Sequence, residues 1–132
     1  MPHIIIEYSD NLDRLLPVDD FVQAVHAAAV DDGIAPVDGI RTRAILHRHY
    51  QVADQDPANA FVAIIARLGP GRRDDEIQRF LNRLIDTSET AVAEFADQIA
   101  VAISAEIQFI DANVRINRNH VATRMAAKAA SG

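Results

Sequence analysis

Apolar runs of strand length occur four times in this chain, and twice an amphipathic stretch of helix length separates one run from the next. His3–Tyr8 is short, rich in isoleucine and followed by the turn formers Ser9, Asp10 and Asn11, which predicts a buried strand. After Pro17, Phe21, Val22, Val25, Ala28 and Ala29 recur at helical spacing until Asp31-Asp32-Gly33 ends the pattern. The second strand is expected over Ile40–Tyr50, where Ile40, Thr42, Ala44 and Leu46 alternate with Arg41, Arg43, Ile45 and His47, leaving one face basic. Asp54–Asn59 reads as a hairpin-length break, so the strand Ala60–Leu68 is expected to run antiparallel to its predecessor.

Gly69-Pro70-Gly71 punctuates the chain, and Asp74, Asp75 and Glu76 then crowd a helix first turn, where the macrodipole favours acids. That helix should begin near Arg73 and bury Ile77, Phe80, Leu81, Leu84, Ile85, Val92 and Phe95. Ile99, Val101, Ile103, Ala105, Ile107 and Phe109 keep strict period two, a fourth strand. The order βαβ, hairpin, βαβ predicts a two-layer α/β (α+β) sandwich: a βαββαβ protomer with a four-stranded mixed sheet and, through right-handed crossovers, two helices on one face. Residues 1–121 are expected to form this single domain, and residues 122–132 a frayed or helical tail. With apolar residues on both sides of some strands and no third layer encoded, self-association is the expected cover for the other face.

Charge and composition narrow the function. Thirteen Lys and Arg against nineteen Asp and Glu leave a formal charge of −6, the wrong sign for gripping nucleic acid or an anionic membrane through a global field. An anionic ligand would need a local basic pocket. The absence of cysteine removes disulfides, thiolate nucleophiles and Cys-based metal sites. The opening Met1-Pro2-His3-Ile4-Ile5-Ile6-Glu7 lacks a basic region and a long apolar run, so no leader and no membrane span are expected, and a cytoplasmic location is the default.

Pro2 is the position richest in chemical implication. Removal of Met1 would leave a secondary amine anchored on the first residue of a strand, and desolvation with guanidinium neighbours would lower its pKa towards that of a working general base. A proline that merely opens a strand is the plainer reading. Arg41 and Arg43 on one strand face, with Arg72 beside the Gly69-Pro70-Gly71 turn, are candidates to hold carboxylates. His47 and His49, two apart, would share a side of a strand as half of a metal site, but spacing supplies no third ligand and no metal is expected. His3 should face away from Pro2, and His26 should be a helix-surface residue. Gly69-Pro70-Gly71 lacks the length and lysine of a phosphate-binding loop.

These segments together resemble the tautomerase superfamily and, within it, the 5-carboxymethyl-2-hydroxymuconate isomerase family. The resemblance is carried by Pro2-His3-Ile4-Ile5-Ile6-Glu7-Tyr8-Ser9-Asp10-Asn11, by Gly33-Ile34-Ala35-Pro36 with Gly39-Ile40-Arg41-Thr42-Arg43, by Ala60-Phe61-Val62 and by Gly69-Pro70-Gly71-Arg72. Ser104-Ala105-Glu106-Ile107 and Asn117-Arg118-Asn119-His120-Val121 extend it to about Val121. It implies a cofactor-free homotrimer in which Pro2 moves a proton within a carboxylated 2-hydroxymuconate-type enol acid, as in aromatic compound degradation. It further implies that Arg41 and Arg72 bind carboxylates and stabilise developing charge, that Arg43 is a secondary contact, and that Val114–Val121 is an intersubunit segment. An aromatic position of the family's second strand is His47 here. Two other readings stand beside it: a non-catalytic trimeric protein binding small anions on the same fold, and a tautomerase of simpler 2-oxo acids. A carboxylate such as Glu106 is the alternative base.

Overall fold

The computed structural model describes residues 2–132. Its elements follow in the order β1 (His3–Ser9), α1 (Val18–Asp32), β2 (Arg41–His47), β3 (Asn59–Leu68), α2 (Asp74–Val92), β4 (Ala100–Phe109) and α3 (His120–Ser131). Four of the connections contain short 3-10 turns, at Asp10–Leu12, Val37–Gly39, Ala93–Phe95 and Ala112–Val114. The strands form one sheet in the order β2-β1-β3-β4. β1 runs parallel to β2 and antiparallel to β3, and β3 runs parallel to β4.

This order corrects the hairpin expectation. β2 and β3 do run in opposite directions, but β1 lies between them and takes the hydrogen bonds of both. β2 stops at His47 and not at Tyr50, so the connection to Asn59 is long enough to step over the end of β1. Asn11 anchors the far side of that step: its Nδ2 donates to the carbonyls of Asn59 (2.7 Å) and Pro57 (3.2 Å). An isoleucine-rich strand suits the centre of a sheet, where both faces and both edges are covered.

Alternation along the strands separates two unlike faces. Ile4, Ile6 and Tyr8 of β1 and Ala60, Val62, Ile64, Ala66 and Leu68 of β3 are buried under the helices. They pack with Phe21, Val25 and Ala29 of α1 and with Phe80 and Leu84 of α2, giving the helix-on-sheet layer that the periodicities predict. α1 ends where Gly33 takes φ +78°, the left-handed conformation that stops a helix at low cost for glycine. α2 starts with its acidic first turn, and the backbone N–H of Arg73 donates to Glu76 Oε1 at 3.0 Å. Arg79 reaches both Asp32 carboxylate oxygens at 3.1 Å and Arg83 pairs with Asp31, so the two helices are also clasped at the surface. His26 is half-buried: its Nδ1 lies 2.8 Å from Thr42 Oγ1, tying α1 to β2, so it is not a free surface residue.

The opposite face carries His3, Ile5 and Glu7, then Arg41, Arg43, Ile45 and His47, then Phe61, Ala63, Ile65 and Arg67, and among the described residues no helix covers it. The chain leaves β4 through Val114 and Ile116, which are 80% and 89% exposed. It enters α3 at Asn119, whose side chain accepts from Val121 N and Ala122 N (3.1 and 3.2 Å) and donates to the Asp38 carbonyl (2.8 Å). The tail is thus helical, a third helix standing outside the two-layer unit. Among the described residues no helix is long and apolar enough to cross a membrane.

Replacing the fully buried Ile64 by alanine removes packing between β3 and the helices. A loss of about 2–5 kcal/mol is expected in urea unfolding at fixed protein concentration.

Candidate active site

Pro2, Arg41 and Arg72 gather at one end of the sheet, with His47 and His49 at the other. Pro2 precedes β1, is buried, and lies on the same face as Ile4, while its carbonyl accepts from Arg41 N at 3.1 Å. On the other side of β1, His3 pairs with Arg67, so the β3 terminus and the Gly69-Pro70-Gly71 turn lie next to Pro2. Gly71 adopts φ +109°, open to glycine and strained for other residues. The turn delivers Arg72, whose Nε donates to the Ile34 carbonyl (3.0 Å) and whose Nη1 donates to the Gly69 carbonyl (2.8 Å). Arg72 therefore ties the loop after α1 to the loop after β3. Its Nη2 makes no hydrogen bond among the described residues.

Arg41 and Arg43 project from the other face of the sheet. Arg41 Nη1 is 3.4 Å from His3 Nε2 and its Nη2 donates to Asn117 Oδ1 at 3.2 Å. Arg43 Nη1 is 3.1 Å from His3 Nδ1. Pro2 and Arg41 are neighbours through the backbone but point to opposite sides, as strand alternation requires. Within one chain, Pro2 and Arg72 share an end of the sheet with Arg41, but Arg41 does not share the Pro2 face. Glu106 lies on the uncovered face of β4, exposed, and also away from the side on which Pro2 is buried. Clefts of about 320, 340 and 360 Å³ lie elsewhere on the chain and are lined by none of these residues.

His3 was expected only to face away from Pro2, and it does so, but its contacts with both arginines were not foreseen. They follow from the parallel register, which sets His3 opposite Arg41 and one step from Arg43. Arg67 stands opposite His3 on its other flank. The His3 imidazole titrates below its ordinary value, first because it is partly buried and then because Arg43, Arg41, Arg67 and Arg115 repel its protonated form. Sequence reasoning missed Arg67 and Arg115: strand pairing sets Arg67 opposite His3, and Arg115 comes from the segment after β4.

The paired-histidine idea does not survive the fold. β2 ends at His47, so His49 lies in a bend and the two imidazoles share no strand face. His47 Nε2 instead contacts Glu7 Oε1 at 2.7 Å across the β1–β2 pair, with its ring 5.9 Å from that of Phe61. Whether Met1 precedes Pro2 in the working protein lies outside the described residues.

The family model for 5-carboxymethyl-2-hydroxymuconate isomerase matches residues 2–125. The chain belongs to that family. It is therefore an isomerase by family, and the resemblance read from Pro2 to Val121 is borne out. A 5-carboxymethyl-2-hydroxymuconate Delta-isomerase of Escherichia coli is 28% identical over 121 residues, covering 92% of this chain and 96% of that protein. The crystal structure of a 5-carboxymethyl-2-hydroxymuconate isomerase from Deinococcus radiodurans R1 superposes with a TM-score of 0.85 at 28% identity, covering 94% of this chain and 93% of that one. A fused 4-OT protein, described as a wild-type symmetric trimer, shares the fold at 20% identity and a TM-score of 0.61, over 88% of this chain and 93% of its own.

The lowered His3 pKa has a definite sign for stability. The unfolded chain, with histidine near 6.5, binds the proton first as pH falls, so folding weakens below about pH 6.5 until the folded-state value is passed. His3→Asn is expected to flatten this limb: between pH 7 and pH 5 the variant should lose less Tm than the wild type at equal protein concentration. Parallel curves would show that His3 does not titrate in this way.

Proposed function

We propose that this isomerase moves a proton within a carboxylated 2-hydroxymuconate-type enol acid, in the cytoplasm, as a cofactor-free homotrimer with the amine of Pro2 as general base. The observation that carries the reading is a coincidence of position: the family match begins at Pro2, and Pro2 is the buried residue immediately before the central strand. Once Met1 is removed, the Pro2 nitrogen is a secondary amine held by a buried ring. A neutral amine there takes the proton of the 2-hydroxyl group. The O–H bond breaks, the conjugated double bonds shift to form a ketone, and the ammonium returns the proton to a carbon further along the chain. Atoms and electrons balance within the substrate, so the reaction needs no redox partner.

The arginines supply the electrostatic part. Arg72, fixed by two carbonyls, keeps guanidinium N–H groups free to hold a carboxylate and to stabilise charge developing on oxygen. Arg41 lies on the face opposite Pro2 in its own chain, which favours a pocket in which Arg41 serves the Pro2 of a neighbouring copy, with Arg43 as a secondary contact. Self-association also gives the half-buried Ile5 and Ile65 on the uncovered face an apolar surface to meet.

Three measurements test this reading. Protein whose intact mass shows retained Met1 should be inactive, because an amide nitrogen is no base; full turnover in that material removes the Pro2 amine from the mechanism. Arg72→Ala should lower kcat/KM for a dicarboxylated enol acid more than for a monocarboxylated one, by a difference worth about 1.5–3 kcal/mol. Equal losses on both substrates would assign Arg72 to loop support alone. Ile65→Asp should shift light scattering from a trimer to a monomer, and an unchanged mass would show that the uncovered face is not the contact.

A further inference from the structure

His3 presents a hydrogen-bonding mismatch that the chain does not resolve. Its Nδ1 faces Arg43 Nη1 at 3.1 Å and its Nε2 faces Arg41 Nη1 at 3.4 Å. A guanidinium can only donate, and a neutral imidazole accepts at one nitrogen and carries a proton on the other. Whichever tautomer is present, one imidazole N–H points at a guanidinium N–H. The shorter contact makes Nδ1 the acceptor, which leaves His3 Nε2–H and Arg41 as two donors converging with no acceptor between them. Arg41 spends one donor on Asn117 Oδ1, and Arg67 occupies the same cross-strand row as Arg41 and His3.

Charge points the same way. Among the described residues, Arg73, Arg79 and Arg83 are in ion pairs with carboxylates, whereas Arg41, Arg43, Arg67 and Arg115 are in none. Arg41 and Arg43 contact His3 and Arg67 stands opposite it, in a chain of formal charge −6. Of the acids on this face, Glu7 is engaged with His47, and Glu106 lies on β4 opposite Ile65, one diagonal step from Arg67 and without an ion pair to it.

We propose that His3, Arg41 and Arg67 form an oxyanion-binding site on the uncovered face of the sheet, in which a carboxylate or phosphate oxygen accepts from His3 Nε2–H and Arg41 together. The proposal rests on the reading of Arg41 as a carboxylate-holding residue and extends it. His3 supplies a neutral donor, Arg67 supplies a second charge from the opposite flank, and Asn117 orients the Arg41 fork. The Pro2 of the same chain takes no part, because its ring lies on the other face.

The Cε1–H resonance of His3 reads the site directly and is identified by its absence from His3→Gln protein. Wild-type assembled protein is titrated at constant ionic strength with glutarate, with inorganic phosphate and with the uncharged glutaramide. Glutarate or phosphate should move the His3 resonance saturably while glutaramide leaves it in place, the better ligand of the two naming the source. Signals of His26, His47, His49 and His120 should stay still. Arg67→Gln, at a residue exposed in the single chain and made in protein whose light scattering matches the wild type, should raise the apparent Kd at least tenfold. The same binding should appear in Met1-retaining protein, so a failed Pro2 mechanism leaves this result intact. A His3 resonance that neither anion moves, a response equal in Arg67→Gln, or movement of all five histidines together would overturn the proposal.

Discussion

β1 is hydrogen-bonded along both edges, to β2 in parallel and to β3 in antiparallel register, and Pro2, His3 and the arginines beside them are positioned from it. Its isoleucines alternate between the helix layer and the uncovered face, so the sheet cannot slip by one residue without exchanging Ile4 and Ile6 for His3 and Glu7 in the core. That penalty locks the pairing of His3 with Arg41 and Arg67. It also locks Pro2 at the end of a central strand, where fraying is opposed from both sides. Pro2 and the row of His3, Arg41 and Arg67 are set by the same register that fills the core.

The two sheet faces are stabilised by different means. Under the helices, burial of aliphatic side chains supplies the driving force, and polar groups there are few and paired, as with Ser88 Oγ donating to the Leu84 carbonyl. On the other face isoleucines and alanines alternate with arginines, histidines and glutamates. Such a surface can neither form a dry core nor remain fully solvated without cost. The divided character explains how an acidic protein keeps a local concentration of positive charge: most acids sit on α1, α2 and the loops, where helix N-termini and surface arginines meet them, while Arg41, Arg43 and Arg67 stand together on the uncovered sheet face.

Much of this was legible in the sequence because burial imposes periodicity. The Ile-rich first strand, the stop at Gly33, the acidic start of α2 and the strict alternation of β4 all appear where the side-chain pattern puts them. Strand order was not legible. A polar break between two strands reads the same whether they pair or straddle a third, and only the competition of β1 for both edges decides it. For the same reason Arg72 could be placed at a turn, but not onto the Ile34 and Gly69 carbonyls. His3 could be given a face but not its arginine neighbours. Contacts between residues far apart in sequence depend on register, and register is a property of the assembled sheet.

The connection from His47 to Asn59 has a consequence for how this sheet can change. In a true hairpin the turn sets the register of the strands it joins, so its length is constrained. Here β1 sets the register of both β2 and β3, and the connection, largely exposed and with Ala53 and Gln55 at positive φ, only has to pass over the end of that strand. Doubling the length of such a flexible loop adds only about 0.6 kcal/mol of closure entropy. Sequence can therefore be gained or lost at this point, remote from Pro2, while the alignment of every strand is preserved: a place where related chains can diverge in shape without losing the frame.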